Sequence, residues 1–167
     1  AIRVDIFITT VNEPKELVEK TITCAQAVRQ TGGVTKKVHL LDDGAREEFR
    51  ALAKETGINY ISRQTDEGYK AGNLSNAFKK TEGDFLVICD ADTRLFPDFL
   101  QETLPYFGDG SVAWVQTPHW FSDIDPERDM LNGCNRFFFE VIQQRRGQSQ
   151  SSFCCGAASI HSRKALE

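Results

Sequence analysis

Phe85-Leu86-Val87-Ile88-Cys89-Asp90-Ala91-Asp92 is the stretch on which the fold turns. Five apolar residues run without alternation and stop at two carboxylates. A run without alternation suits a central parallel strand covered on both faces. Toward the N-terminus the pattern recurs. Val4–Ile8 is a β-rich run ending at Thr9-Thr10, Lys37–Leu41 ends at Asp42-Asp43-Gly44, and Ile58–Ile61 is a third, short strand. Helical spacing fills the gaps. Asn12 and Pro14 open a helix carrying Leu17, Val18, Ile22, Ala25 and Val28, which Gly32-Gly33 stops. Phe49, Leu52 and Ala53 mark a second helix ending near Gly57, and Leu74, Ala77 and Phe78 a third after the polar loop 64–72. Toward the C-terminus, Phe99, Leu100, Thr103 and Leu104 form a helical face and Val112–Val115 a further strand.

Strands alternating with helices imply an α/β domain with a mostly parallel sheet and right-handed crossovers. Ligands in such sheets bind at the carboxyl ends of the strands. Thr9-Thr10, Asp42-Asp43 and Asp90-Ala91-Asp92 all lie there, so three polar clusters should converge on one crevice.

The last third reads differently. Pro126 to Arg146 has a helical pattern that includes Phe137, Phe138 and Phe139. Neighbours on a helix are about 100° apart, so three adjacent phenylalanines cannot share one face and one should stay partly exposed. Residues 147–152 read as a polar loop, Ala157–Ile160 as a strand, and Ser162–Leu166 as the first turn of another helix. There is no internal repeat and no linker, so residues 1–167 read as one domain.

Composition narrows the function. The formal net charge is −4, which argues against a general nucleic-acid binder. No apolar run approaches the roughly 18–20 residues of a membrane span, and the opening residues carry no signal-peptide pattern. Five cysteines without a C-x-x-C pair, and three scattered histidines, disfavour a zinc site. Cys24 and Cys89 sit in apolar patterns and read as buried free thiols in a reducing compartment.

Asp90 and Asp92 are the sharpest chemical feature. Two carboxylates crowded after a buried strand favour a positive partner, and hard oxygen ligands suit Mg²⁺ or Mn²⁺. Alternatively they cap the following turn. Asp43, at another strand end, is placed to accept hydrogen bonds from a base or ribose, or else to form a tight turn or the N-cap of the second helix. Lys70, beside Gly72 at the start of a helix, suits a diphosphate, or is a solvated lysine. Neither G-x-x-x-x-G-K-[ST] nor G-x-G-x-x-G occurs, which counts against P-loop proteins and dinucleotide oxidoreductases.

Taken in order, Thr10-Val11-Asn12-Glu13-Pro14, Asp42-Asp43-Gly44, Lys70-Ala71-Gly72-Asn73-Leu74-Ser75-Asn76-Ala77, Gly83-Asp84 leading into Asp90-Ala91-Asp92, and Gln116-Thr117-Pro118 form a specific set. The chain resembles the family 2 processive glycosyltransferases, the bacterial cellulose synthases above all, from about Val4 to Leu166. The resemblance implies a GT-A fold, a Rossmann-like sheet with helices on both faces. It implies a nucleotide-sugar-binding half over 1–118 and the start of an acceptor-side half over 119–167. Thr10 and Glu13 would line a uridine pocket, Asp43 would contact the uracil, and Lys70 would face the diphosphate. Asp90 would contact nucleotide and metal, and Asp92 would hold Mg²⁺ or Mn²⁺. Cys155 and Gly156 would lie near the end of the growing glucan, with Ala157 where the family more often carries Ser or Thr.

The implied activity is inverting transfer from UDP-glucose to a β-glucan, with UDP as the leaving product. The family's Thr-Glu-Asp base and Gln-x-x-Arg-Trp motif are not found here and are expected beyond Glu167. The resemblance also implies membrane helices elsewhere in the parent chain, accessory subunits, and a place at the cytoplasmic face of the plasma membrane for a portion that is itself soluble. Another polysaccharide synthase of the same fold, or a nucleotide-binding module without catalysis, are the alternatives.

Overall fold

The computed structural model describes residues 1–125, 127–130 and 133–167. Six strands form one sheet: β1 (Ile2–Thr10), β2 (Val34–Asp42), β3 (Asn59–Ser62), β4 (Phe85–Asp90), β5 (Trp114–Gln116) and β6 (Ser159–Ser162). Their spatial order is β3-β2-β1-β4-β6-β5. The first four are mutually parallel, and β6 lies antiparallel between β4 and β5. The mostly parallel α/β sheet expected from the sequence is therefore present. β4 differs in one respect, because its second neighbour, β6, runs antiparallel to it.

Alternation along β1 explains the layering. Val4, Ile6 and Ile8 share one hydrophobic cluster with Val18, Ile22 and Ala25 of α1 (Lys15–Ala27) and Phe49 and Leu52 of α2 (Glu47–Thr56). Phe7 belongs to a second cluster with Leu41, Leu86 and Ala77 of α3 (Tyr69–Phe78). Successive side chains of a strand point to opposite faces, so β1 gives apolar side chains to both, Phe7 lying between Asp5 and Thr9 on the second, and helices cover both. The two crossovers through α1 and α2 step outward from β1. The crossover through α3 returns over the other face to β4, on β1's far side. The strand order thus reverses between β1 and β4, and their carboxyl ends diverge there. Register places Thr10 opposite Asp42, Thr9 opposite Asp90 and Asp42 opposite Ser62. The three polar clusters stand in one row.

Several boundaries depart from the sequence reading. α1 ends at Ala27 with an extended Val28 as its cap, so Gly32-Gly33 turns the chain into β2 and does not stop the helix. Lys36 accounts for the early stop, because its ammonium donates to the carbonyls of Ala25, Gln26 and Val28 at the helix end. Asn12 makes no cap; α1 opens on Pro14, whose carbonyl accepts the Leu17 and Val18 amides. Gly57 does end α2, in the left-handed region at φ 72°.

The expected helix from Pro126 to Arg146 is the largest correction. Pro126, Leu131 and Asn132 lie outside the described residues. The Asp129 carboxylate accepts the amides of Gly133 and Cys134 at 2.6 and 2.7 Å, and Asn135 sits at φ 47°. That turn interrupts the pattern, and helix begins only at Arg136. It winds as a π-helix over Phe138–Gln143 and continues as α5 (Gln144–Gln148), two residues into the expected loop. Phe137 is 63% exposed and Phe139 only 7%, as three adjacent phenylalanines require. A short α4 (Phe99–Thr103) and α6 (Arg163–Leu166) complete the chain. Among the described residues no helix is long and apolar enough to cross a membrane.

Candidate functional site

A cleft of about 370 Å³ opens at the carboxyl ends of β1, β2 and β4, and Thr10, Glu13, Asp43, Lys70, Asp90 and Asp92 all line it. Six residues chosen from separate sequence clusters thus meet in one place.

On the β1 side the Glu13 carboxylate folds back on its own loop. Its Oε2 accepts the Val11 amide at 2.7 Å, the Asn12 amide at 3.2 Å and the Thr10 hydroxyl at 2.8 Å. Partial burial pushes its pKa up, but these bonds outweigh burial and hold it below the usual carboxylate range. Thr10 is 1% exposed and also accepts from Arg46 Nη2 at 2.8 Å.

Adjacent aspartates at the end of β2 do different jobs. Asp42 is fully buried and structural. It accepts the amides of Gly44 and Arg46 at 3.1 and 2.6 Å, the Arg46 side chain at 3.2 Å and the Tyr60 hydroxyl at 2.9 Å. Burial, then the bond to Asp42, push the Tyr60 phenol up to about 12, which keeps it a donor. The turn chemistry offered as the alternative for Asp43 is therefore performed by Asp42. Asp43 faces the cleft in a two-pronged pair with Arg63, Nε to Oδ1 at 2.6 Å and Nη2 to Oδ2 at 2.8 Å. Arg63 also donates to the carbonyls of Glu67 and Tyr69, clamping the loop that leads into α3. Gly72 permits that clamp, since a Cβ there would overlap the Glu67 carbonyl and the Arg63 guanidinium. Arg46 and Arg63 belong to none of the sequence motifs. A signal existed for Arg63, which directly follows the carboxyl end of β3.

Lys70 is the second residue of α3. Its ammonium donates to Asp90 Oδ1 and, at 3.1 Å, to the Gly156 carbonyl. An ammonium has three donors, so one N–H remains for a ligand oxygen. Asp90 ends β4, and its amide donates to the Thr93 hydroxyl at 3.0 Å, which fixes the turn that carries Asp92. Asp92 is exposed at the cleft mouth. Among the described residues no group of three or more His, Cys, Asp or Glu side chains could hold a metal ion. Two hard carboxylates fit a cation that completes its shell with water and phosphate oxygens, as Mg²⁺ and Mn²⁺ do. Buried Asn73 also lines the cleft: its Nδ2 donates to Leu41 O at 3.1 Å, and its Oδ1 has no protein partner among the described residues.

Cys155 and Gly156 do not line the cleft but border it through Lys70. Their segment is pinned from two sides. Gln116 accepts the Cys155 amide at 2.7 Å and donates to Ala157 O at 2.8 Å. Gln143, in the π-helix, accepts the Phe153 amide at 2.8 Å and donates to Phe153 O at 2.7 Å. Gln143 gave no sequence signal.

A parallel sheet reversing between β1 and β4, with an antiparallel strand beyond and carboxylates at the divergence, is the arrangement this domain shares with solved GT-A glycosyltransferases, and it has that fold. The chain belongs to glycosyl transferase family 2, whose family model matches residues 5–167. It is 39% identical over 171 residues to the cellulose synthase catalytic subunit [UDP-forming] of Xanthomonas axonopodis pv. citri, covering 98% of this chain and 23% of that protein. It is 38% identical over 171 residues to cellulose synthase 1 of Komagataeibacter xylinus, covering 98% of this chain and 11% of that protein. The chain therefore spans a quarter or less of these relatives' length.

Glucosyl-3-phosphoglycerate synthase from Mycobacterium tuberculosis, solved with Mn²⁺, UDP and glucosyl-3-phosphoglycerate, superposes with a TM-score of 0.64 at 17% identity, covering 98% of this chain and 57% of that one. The mannosyltransferase PcManGT from Pyrobaculum calidifontis, solved with GDP-Man and Mn²⁺, gives 0.60 at 20% identity, covering 77% and 37%. At these identities the likeness is one of fold.

Proposed function

We propose that this chain is the UDP-sugar-binding part of an inverting, processive β-glycosyltransferase of the cellulose synthase type, which transfers glucose from UDP-glucose to a β-1,4-glucan. The observation that carries the reading is the convergence of Asp43, Lys70, Asp90 and Asp92 in the cleft between β1 and β4. The relatives named as UDP-forming cellulose synthases support the donor and the polymer.

In this reading Asp43, held by Arg63, accepts from the base, and Thr10 and Glu13 shape the uridine pocket. Lys70 gives its remaining N–H to the diphosphate. Asp90 and Asp92 hold Mg²⁺ or Mn²⁺, which when bound offsets the charge of the departing diphosphate. The acceptor hydroxyl attacks the anomeric carbon in line, so the configuration inverts. Cys155 and Gly156 border the acceptor end. Residues 1–118 then serve the nucleotide sugar and 119–167 begin the acceptor side. The parent works at the cytoplasmic face of the plasma membrane with its own membrane helices, a general base from outside this chain, and accessory subunits.

Calorimetry with UDP, UDP-glucose and GDP, each with and without Mn²⁺, tests this. Mn²⁺-dependent binding of UDP in preference to GDP is expected. No UDP binding with Mn²⁺ present, or equal binding of GDP, overturns the reading. For the chain alone a second reading is nucleotide binding without transfer. It is favoured by the engagement of Glu13, Asp42, Asp43 and Asp90 in bonds within the protein.

A further inference from the structure

Cys154 and Cys155 are neighbours in sequence, both are free thiols, and they directly precede Gly156, whose carbonyl accepts from the cleft-lining Lys70. Cys154 is exposed and Cys155 half-buried. The Cys155 thiol is fixed: Sγ accepts from Gln143 Nε2 at 3.5 Å and donates to the Phe153 carbonyl at 3.8 Å. Its backbone matters more. The Cys155 amide donates to Gln116 Oε1 at 2.7 Å, and the carbonyl of the next residue, Gly156, accepts from Lys70 at 3.1 Å. Any change in the Cys154–Cys155 peptide therefore acts on the lysine that also pairs with Asp90.

We infer that Cys154 and Cys155 form a redox-sensitive dithiol that closes to a vicinal disulfide and loosens the Lys70 end of the cleft. The inference of a loosened site rests on the nucleotide-binding reading above; the disulfide itself does not. The oxidant is a hydroperoxide. The Cys154 thiolate attacks the terminal peroxide oxygen, the O–O bond breaks, and water or an alcohol leaves with a proton, giving a sulfenic acid. The Cys155 sulfur then attacks the Cys154 sulfur. An S–S bond forms, the S–O bond breaks, and the hydroxyl leaves as water with the Cys155 proton. In total the two thiols have lost two electrons and two protons.

The division of roles follows exposure. Cys154 meets the oxidant, and burial raises the pKa of the Cys155 thiol, which suits a resolving thiol that stays protonated until its partner is oxidised. Adjacent Cα atoms are about 3.8 Å apart across a trans peptide, below the usual span of a disulfide, so ring closure must twist that peptide. Strained disulfides are the easily reduced, regulatory kind. The twist pulls the Cys155 amide off Gln116 and moves the Gly156 carbonyl from Lys70. Lys70 then loses one of its two anchors and must be reordered on each binding event, a cost of about tenfold in affinity for one charge-assisted bond.

The test treats the chain with hydrogen peroxide, then with a phosphine reductant. Peptide mass mapping should show a loss of 2 Da confined to the peptide holding both cysteines, restored by the reductant and abolished in Cys154→Ser. Hydrogen exchange at the Cys155 amide should rise on oxidation and stay low in Cys154→Ser. Mn²⁺-dependent UDP affinity should fall about tenfold and recover. Oxidation that yields only oxygen adducts or intermolecular dimers overturns the proposal, as does unchanged exchange at Cys155. A 2 Da loss with raised exchange in a chain that never bound UDP supports the dithiol and refutes the nucleotide reading instead. Unchanged UDP affinity in a chain that does bind it refutes the coupling to Lys70.

Discussion

Replacing Arg63 by glutamine removes the clamp that holds Asp43 and the loop before α3. Arg63 makes four hydrogen bonds, two to Asp43 and one each to the carbonyls of Glu67 and Tyr69. The pair is well shielded, with side chains 10% and 4% exposed, so solvent screens it little. Removing one partner of a buried ion pair costs about 3–5 kcal/mol, mostly from the charge left unpaired. Asp43 lines the cleft, so once the guanidinium is gone water reaches its carboxylate from that side, which favours the lower end. A glutamine amide can regain one bond, worth about 1 kcal/mol. The expected net loss is about 2–3 kcal/mol. With a urea dependence of about 2 kcal/mol/M for a domain this size, the unfolding midpoint should drop by about 1–1.5 M. Asp43→Asn in the same chain removes the stranded charge, so the double variant should recover part of that loss. The double-mutant cycle should therefore show a coupling of about 1.5–3 kcal/mol. A midpoint shift for Arg63→Gln below about 0.3 M, or strict additivity in the cycle, would refute the claim that the pair fixes this corner.

Three further outcomes follow from the same geometry. Asp92→Ala should weaken Mn²⁺-dependent UDP binding by about tenfold or more in calorimetry, whereas affinity indifferent to both the substitution and EDTA would remove the metal site. Asp5 is 4% exposed; burial raises its pKa, but bonds from His39 at 2.9 Å and the Gly83 amide at 2.6 Å, with Arg163 nearby, win and depress it. A depressed carboxyl contributes stability above its unfolded pKa of about 4 and loses it as pH falls through the folded value. Urea titrations at pH 5, 4 and 3 should accordingly show a steeper loss for the wild type than for Asp5→Asn, and parallel losses would show that Asp5 carries none of it. Finally, the chain incubated with labelled UDP-glucose, Mg²⁺ and Mn²⁺ should give no glucanase-sensitive polymer, because Asp42, Asp43 and Glu13 are held in internal bonds and Asp90 by Lys70. Polymer above a no-enzyme control would place the general base within this chain.

Periodicity alone determined the alternating strands and helices, because apolar spacing records which face of each element is dry. It also located the polar strand ends, where the apolar runs give way to Thr9-Thr10, Asp42-Asp43 and Asp90-Ala91-Asp92. What it left open is every decision made by residues far apart in the chain. Asp42 and Asp43 are indistinguishable in sequence, yet one is buried against Arg46 and Tyr60 and the other faces the cleft with Arg63, because Asp42 is the last residue of β2 and Asp43 the first of the turn that follows. Lys70 reaches Gly156 across 86 residues, and only the insertion of β6 beside β4 brings that carbonyl near. The late start of the final long helix was decided by Asp129 capping the Gly133 and Cys134 amides, a local bond that outcompeted an apolar pattern with no cap of its own. Local propensity fixes elements; hydrogen bonds between distant side chains and backbone fix where their ends meet, and the site lies at those ends.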